Sequence, residues 1–141
     1  MTSPIIYHNP ACGTSRNVLA MMRNAGIEPV IVEYLKTPPD RQTLVELIRH
    51  AGLTVRQAIR AKEAVYRELE LDDERLTDEH LLDAMLQHPI LINRPFVVTE
   101  HGARLCRPAE VALEILPEAQ SVPFTKENGE VVVDAQGNRR L

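Results

Sequence analysis

The run His8-Asn9-Pro10-Ala11-Cys12-Gly13-Thr14-Ser15-Arg16 constrains this chain more than any other stretch. It follows an apolar, strand-like segment, Ile5-Ile6-Tyr7, and an amphipathic helical pattern begins inside it. A cysteine placed where a strand gives way to a helix faces the unpaired N–H groups of the first helical turn. Those donors, with the positive end of the helix dipole, stabilise a thiolate and can hold an anion. Two readings of Cys12 follow: a nucleophilic sulfur that meets an oxyanion, or a small buried cysteine in a strand-to-helix turn. The polar neighbours and the hydroxyl of Ser15, three residues later, favour the first.

The rest of the chain reads as one soluble domain over residues 1–141. A length of 141 residues can bury a real core. Aromatics make up only 4% with no Trp, so Leu, Ile, Val, Met and Ala must fill it. A formal charge of −4 gives no reason to expect nucleic acid or an anionic membrane as partner. Among the 16 basic residues only Lys36, Lys62 and Lys126 are lysines. Arginine suits tetrahedral oxyanions because its fork donates two directed bonds at once. Two isolated cysteines, Cys12 and Cys106, build neither a disulfide framework nor a zinc site. The five histidines lack metal-ligand spacing. No bound metal or cofactor is expected. With no apolar run of membrane-spanning length and no leader pattern, a cytoplasmic, reducing setting is expected.

Along the chain, residues 4–8 read as a strand. Thr14 or Ser15 is the expected N-cap of a helix with Val18, Leu19, Met22 and Ala25 on one face, stopped by Gly26. Val30-Ile31-Val32 is a second strand. After Pro38-Pro39, Asp40 can cap a helix carrying Leu44, Leu47, Ile48 and Ala51 and ending at Gly52. This β-α-β-α order favours a parallel strand pair. Residues 53–89 read as helical throughout, with Thr54 and Gln57 spaced as a capping box and Thr77-Asp78 opening a later helix. Phe96-Val97-Val98 and Ala103 to Cys106 around Glu100-His101-Gly102 form a β-hairpin. Pro108 suits the first position of a last helix. The tail, about 117–141, is expected on the surface, with Val131-Val132-Val133 as an edge strand at most.

The order β-α-β-α, helical insert (about 53–89), β-β-α matches an α/β fold: a thioredoxin-like mixed sheet with flanking helices and an inserted helical subdomain. That layout sets Cys12 beside the loop before the third strand, which Arg94-Pro95 would occupy. Pro95 can be cis, carrying backbone close to the thiol, or an ordinary trans proline at a strand end.

The Cys12 loop, Arg60, the segment Gln87-His88-Pro89-Ile90-Leu91-Ile92-Asn93-Arg94-Pro95, Leu105-Cys106-Arg107-Pro108 and Phe124-Thr125-Lys126 lie in register over the whole length. Taken together, they closely resemble the glutaredoxin-coupled bacterial arsenate reductases, whose fold is thioredoxin-like. The resemblance implies Cys12 as nucleophile on arsenate, with Arg60, Arg94 and Arg107 around the bound oxyanion. It also implies glutathione as co-substrate and glutaredoxin as partner, in arsenic detoxification.

Read without the resemblance, Arg94 and Arg107 are ordinary surface arginines beside prolines, and Arg60, in the helical insert, reaches the site only where that insert folds over the Cys12 loop. Arsenate is largely dianionic near neutrality, and enclosing it demands several charge-assisted donors. His8 could add charge or a hydrogen bond, or be a surface histidine. Ser15 could donate to the thiolate or cap the helix. Arg16 is a helix-surface charge or a ligand. Cys106, in its strand context, reads as buried rather than as a resolving thiol. Serine at position 15 cannot close a disulfide with Cys12, so external thiols must complete a two-electron reduction.

Two rivals fit less well. Thioredoxin-like regulators that grip RNA polymerase usually carry Cys-x-x-Cys. Phosphatase-like reductases need Cys-x5-Arg, and position 18 is valine.

Overall fold

The computed structural model describes residues 3–116 and 123–133. Two compact units emerge, one taking the chain to Glu33 and again from Arg94, the other Tyr34–Asn93.

The first unit is built on a four-stranded mixed sheet in the order β2-β1-β3-β4. Strand β1 (Ile5–His8) runs parallel to β2 (Val30–Glu33), with Ile6 opposite Ile31. It runs antiparallel to β3 (Phe96–Thr99), with Ile6 opposite Val97. The parallel pair requires a crossover, which α1 (Gly13–Asn24) provides. A tight turn joins β3 to β4 (Gly102–Leu105), as the Glu100-His101-Gly102 signal implied.

Strand alternation sends Ile6, His8 and Val97 to one face. There Ile6 and Val97 bury against Val18, Met21 and Met22 of α1, Ala109 and Ala112 of the last helical segment, and Ile115 just after it. The helix ends as its sequence directs: Gly26 takes a φ of +82° and its N–H bonds back to the carbonyl of Arg23. This mixed sheet with its packed helices is the thioredoxin-like arrangement.

Three local expectations for this first unit need correction. Neither Thr14 nor Ser15 is the N-cap of α1; Cys12 is, in extended conformation with φ −96° and ψ 121°. The preceding turn, closed by the Cys12 N–H on the carbonyl of Asn9 at 3.0 Å, starts the helix earlier. The last helix is a 3-10 segment, Ala109–Glu114, and Pro108 caps it from outside. Finally, Val131–Val133 does not extend the main sheet. It is β6, paired with β5 (Phe124–Thr125) in a separate two-stranded sheet. Phe124 and Val132 are buried in the main core, so this part of the expected surface tail supplies packing. Residues 117–122 and 134–141 of that tail lie outside the described residues.

The second unit contains α2 (Arg41–His50), α3 (Val55–Ala58), α4 (Ala64–Glu68), α5 (Asp78–Gln87) and a 3-10 turn, Pro89–Leu91. The anticipated caps form. Asp40 accepts from the Thr43 N–H, Thr54 and Gln57 make a full capping box, and Thr77 accepts from the His80 N–H. The stretch 53–89 is not helical throughout, however. Turns separate α3, α4 and α5, and Arg56 holds them by donating to the carbonyls of Leu71 at 2.8 Å and Asp73 at 3.0 Å. A long-range bridge, Ile59 to Ile92, competes with helix continuation after Ala58. Among the described residues no helix is long and apolar enough to cross a membrane.

Candidate active site

The loop between β1 and α1 is shaped by Asn9. Its side-chain Oδ1 accepts from the Ala11 N–H at 2.9 Å, and its carbonyl accepts from the Cys12 N–H at 3.0 Å. An Asx turn of this kind explains the Asn-Pro dipeptide. Asn9 is itself buried, and sequence reasoning passed over it although Asn-Pro is a turn signal.

Because Cys12 is the N-cap, its thiol stands where a capping oxygen would normally sit, facing free helix N–H groups. Burial raises its pKa, but other contributions outweigh it and the net shift is downward. They are the backbone N–H of Ser15, then hydrogen bonding and charge from Arg107, then a hydrogen bond from Arg94. Arg107 Nη1 lies 3.7 Å from Cys12 Sγ and also donates to the Arg94 carbonyl at 3.0 Å. Arg94 is buried. Both arginines precede cis peptide bonds, Arg94–Pro95 and Arg107–Pro108, so the first of the two conformations open for Pro95 is the one found.

His8 and Ser15 form the floor. Ser15 is fully buried; its Oγ accepts from the Asn9 N–H at 3.1 Å and lies 2.6 Å from His8 Nδ1. Burial pushes the pKa of His8 down; Glu33 opposes this, and Arg23 and Arg16 add to it. In the neutral ring that this shift favours, Nδ1 either accepts from the Ser15 hydroxyl or donates to its oxygen, according to the tautomer. His8 contacts Ser15, and its lowered pKa disfavours the positive charge. The Ser15 backbone N–H lowers the Cys12 pKa, and its hydroxyl, held by the Asn9 N–H and close to His8, is not the N-cap of the helix.

The structure therefore brings His8, Cys12, Ser15, Arg94 and Arg107 together. Arg60 belongs to the second unit, where its backbone N–H donates to the Leu91 carbonyl at 2.7 Å and its side chain pairs with Glu63 at 3.2 Å. Cys106 is fully buried, and burial, with Glu114 adding and Arg104 opposing, pushes its thiol up to about 12. Such a thiol is inert near neutrality. Among the described residues no group of three His, Cys, Asp or Glu side chains could hold a metal ion.

The model of the ArsC family matches residues 7–115. The chain belongs to the ArsC family. This ArsC-family chain is 66% identical over 134 residues to an arsenate reductase of Rhizobium meliloti, covering 95% of this chain and 96% of that one. It is 59% identical over 139 residues to the arsenate reductase of Escherichia coli K12, covering 99% of both. Among solved structures, an arsenate reductase from Vibrio cholerae superposes with a TM-score of 0.78 at 48% identity. That match covers 81% of this chain and 98% of the other.

Proposed function

We propose that this ArsC-family protein is an arsenate reductase that works through Cys12. The observation that carries the proposal is the Cys12 thiol at the N-cap of α1 with the Arg107 guanidinium 3.7 Å from its sulfur, contacts that shift its pKa downward. The family membership and the relatives named above support the substrate.

The Cys12 thiolate attacks arsenic(V), forming an S–As bond as one arsenate oxygen leaves as water after protonation. Arg94 and Arg107 bind the oxyanion and stabilise the charge that develops, and Arg60 is proposed as a third arginine on the strength of the resemblance. A glutathione thiolate then attacks the Cys12 sulfur. The S–As bonding pair passes to arsenic, which becomes arsenic(III) and leaves as arsenite, while Cys12 and glutathione share a mixed disulfide. Glutaredoxin takes the glutathionyl group and restores the Cys12 thiolate; a further glutathione reduces glutaredoxin. The buried Cys106 and the serine at position 15 offer no internal alternative, which is why external thiols are assigned this step. No bound cofactor is assigned. The proposed setting is the cytoplasm, in arsenic detoxification.

The test is arsenate-dependent NADPH oxidation with glutathione, glutaredoxin and glutathione reductase supplied, omitting one component at a time. NADPH oxidation should need all of them. Full turnover without glutathione or glutaredoxin would reject the electron route, and none under any thiol supply would reject the activity.

A further inference from the structure

Arg16 stands one helical turn after Cys12, and neither role considered for it from sequence, loose surface charge or ligand, describes its contacts. Its Nη1 donates to the Pro10 carbonyl at 2.9 Å, inside the loop that carries Cys12. Its Nε and Nη2 donate to the two carboxylate oxygens of Glu127, at 2.8 and 2.9 Å, across 111 positions of sequence. The pair passes close to Gly13: a Cβ there would meet Arg16 Nη2 at 3.6 Å and Glu127 Oε1 at 3.8 Å.

Glu127 is itself held. Its N–H donates to Asn17 Oδ1 at 3.0 Å. It lies in the turn of the β5–β6 hairpin, where the Lys126 N–H bonds to the Glu130 carbonyl at 2.9 Å and the Gly129 N–H to that of Lys126 at 3.0 Å. Lys126 pairs with Glu110 of the last 3-10 segment and with Glu130, while Phe124 and Val132 anchor the hairpin in the core. The carboxylate is thus presented from a fixed frame.

We propose that Glu127 is a positioning residue for Cys12, holding Arg16 on the Pro10 carbonyl and so setting the loop that aims the thiol. The proposal deepens the functional reading and rests on Cys12 as the reacting group. The Arg16 and Glu127 side chains are about half exposed, and such a pair contributes little to global stability. Its bidentate geometry fixes direction instead, and small misplacements of a reacting atom are costly in rate.

The sign of one measurement separates positioning from simple charge. The charged groups acting on the thiol region are Arg94, Arg107 and Arg16, with Glu127 next to Arg16. Deleting a nearby carboxylate would, through its field alone, lower the thiol pKa. Losing the aim of the loop onto the Ser15 N–H and Arg107 would raise it.

The experiment measures the pH profile of Cys12 alkylation by iodoacetamide, read on the Cys12 peptide, together with arsenate kinetics and thermal unfolding of the full chain. E127A should raise the Cys12 pKa. It should also lower kcat roughly three- to tenfold, with arsenate KM within about twofold. E127Q, which keeps one acceptor oxygen, should fall between wild type and E127A. R16A should match E127A, and the double variant should be no worse than R16A alone, since the two act as one unit. A Cys12 pKa in E127A that stays put or falls would overturn the proposal, whatever the thermal midpoint does. So would losses that multiply in the double variant. A raised pKa in E127A alongside a wild type that reduces no arsenate would uphold the clamp and reject only the functional reading.

Discussion

Ser15→Ala tests how the site is wired. The hydroxyl is fully buried and serves two groups, accepting from the Asn9 N–H and lying 2.6 Å from His8 Nδ1. Alanine leaves both without that partner in a buried site. A stranded buried polar group costs about 1–3 kcal/mol, so two cost roughly 2–6 kcal/mol before relaxation. Alanine returns about 0.5 kcal/mol as the better helix former, and small shifts of the loop recover some of the rest. A net loss of roughly 2–4 kcal/mol results, equivalent to a drop of about 6–12 °C in thermal midpoint for a chain of this size. The Cys12 thiolate should behave differently. The Ser15 contribution to it comes from the backbone N–H, which alanine keeps. Urea unfolding and the pH profile of Cys12 alkylation should therefore separate, the first strongly affected and the second close to wild type. A variant as stable as wild type whose thiol pKa returned toward its ordinary 9.0 would refute this wiring and assign the hydroxyl to the sulfur.

Other consequences can be checked directly. Cys12→Ser should fold normally and lose arsenate reduction, because a serine hydroxyl is a poor nucleophile near neutral pH; activity within tenfold of wild type would dismiss Cys12 as nucleophile. Cys106→Ala should keep most of its turnover at a stability cost of about 1–2 kcal/mol for the lost packing, and native alkylation at pH 7 should mark Cys12 alone. Arg107→Ala removes the donor beside the sulfur, so it should raise the Cys12 pKa and cost roughly 2–4 kcal/mol in kcat/KM. Arg60→Ala should, on the proposed third-arginine role, show a comparable catalytic loss with an unchanged Cys12 pKa; wild-type kinetics would reject that role. His8 has a depressed pKa, so its stabilising contribution is present above its ordinary value of 6.5 and is lost as pH falls through the lower folded value. Unfolding measured against pH should show this acid-side loss in wild type and a shallower one in His8→Gln.

The elements that sequence made legible are those decided by neighbours within a few residues. Asp40 with Thr43, Thr54 with Gln57 and Thr77 with His80 are caps whose partners lie three positions away. The period of Val18 and Met22, and the glycine with positive φ at position 26, are likewise local. The strand-to-helix placement of Cys12 is a local fact too, so its neighbours along the chain are enough to single out the thiol.

Local signals misled where a competing contact came from afar. The stretch 53–89 carries helical periodicity, yet Ile59 pairs with Ile92, and Arg56 draws the 71–73 backbone into turns. The Val131–Val133 run reads as a surface strand until Val132 finds a place in the main core.

The working geometry of the site belongs to the tertiary structure alone. Arg107 reaches the Cys12 sulfur across 95 positions, and Glu127 reaches Arg16 across 111. No periodicity encodes such pairings, because they depend on which strand edges and loop ends the sheet order brings side by side. The same holds for Ser15. Its residue type allowed a helix cap or a thiolate donor, and only the fold of β1 against α1 sets His8 Nδ1 2.6 Å from its oxygen, a contact that neither reading contained. Residue chemistry and short-range spacing determined which groups could act; chain topology decided which of them meet, because hydrogen bonds and charge–charge contacts act over a few ångströms of space regardless of separation along the chain.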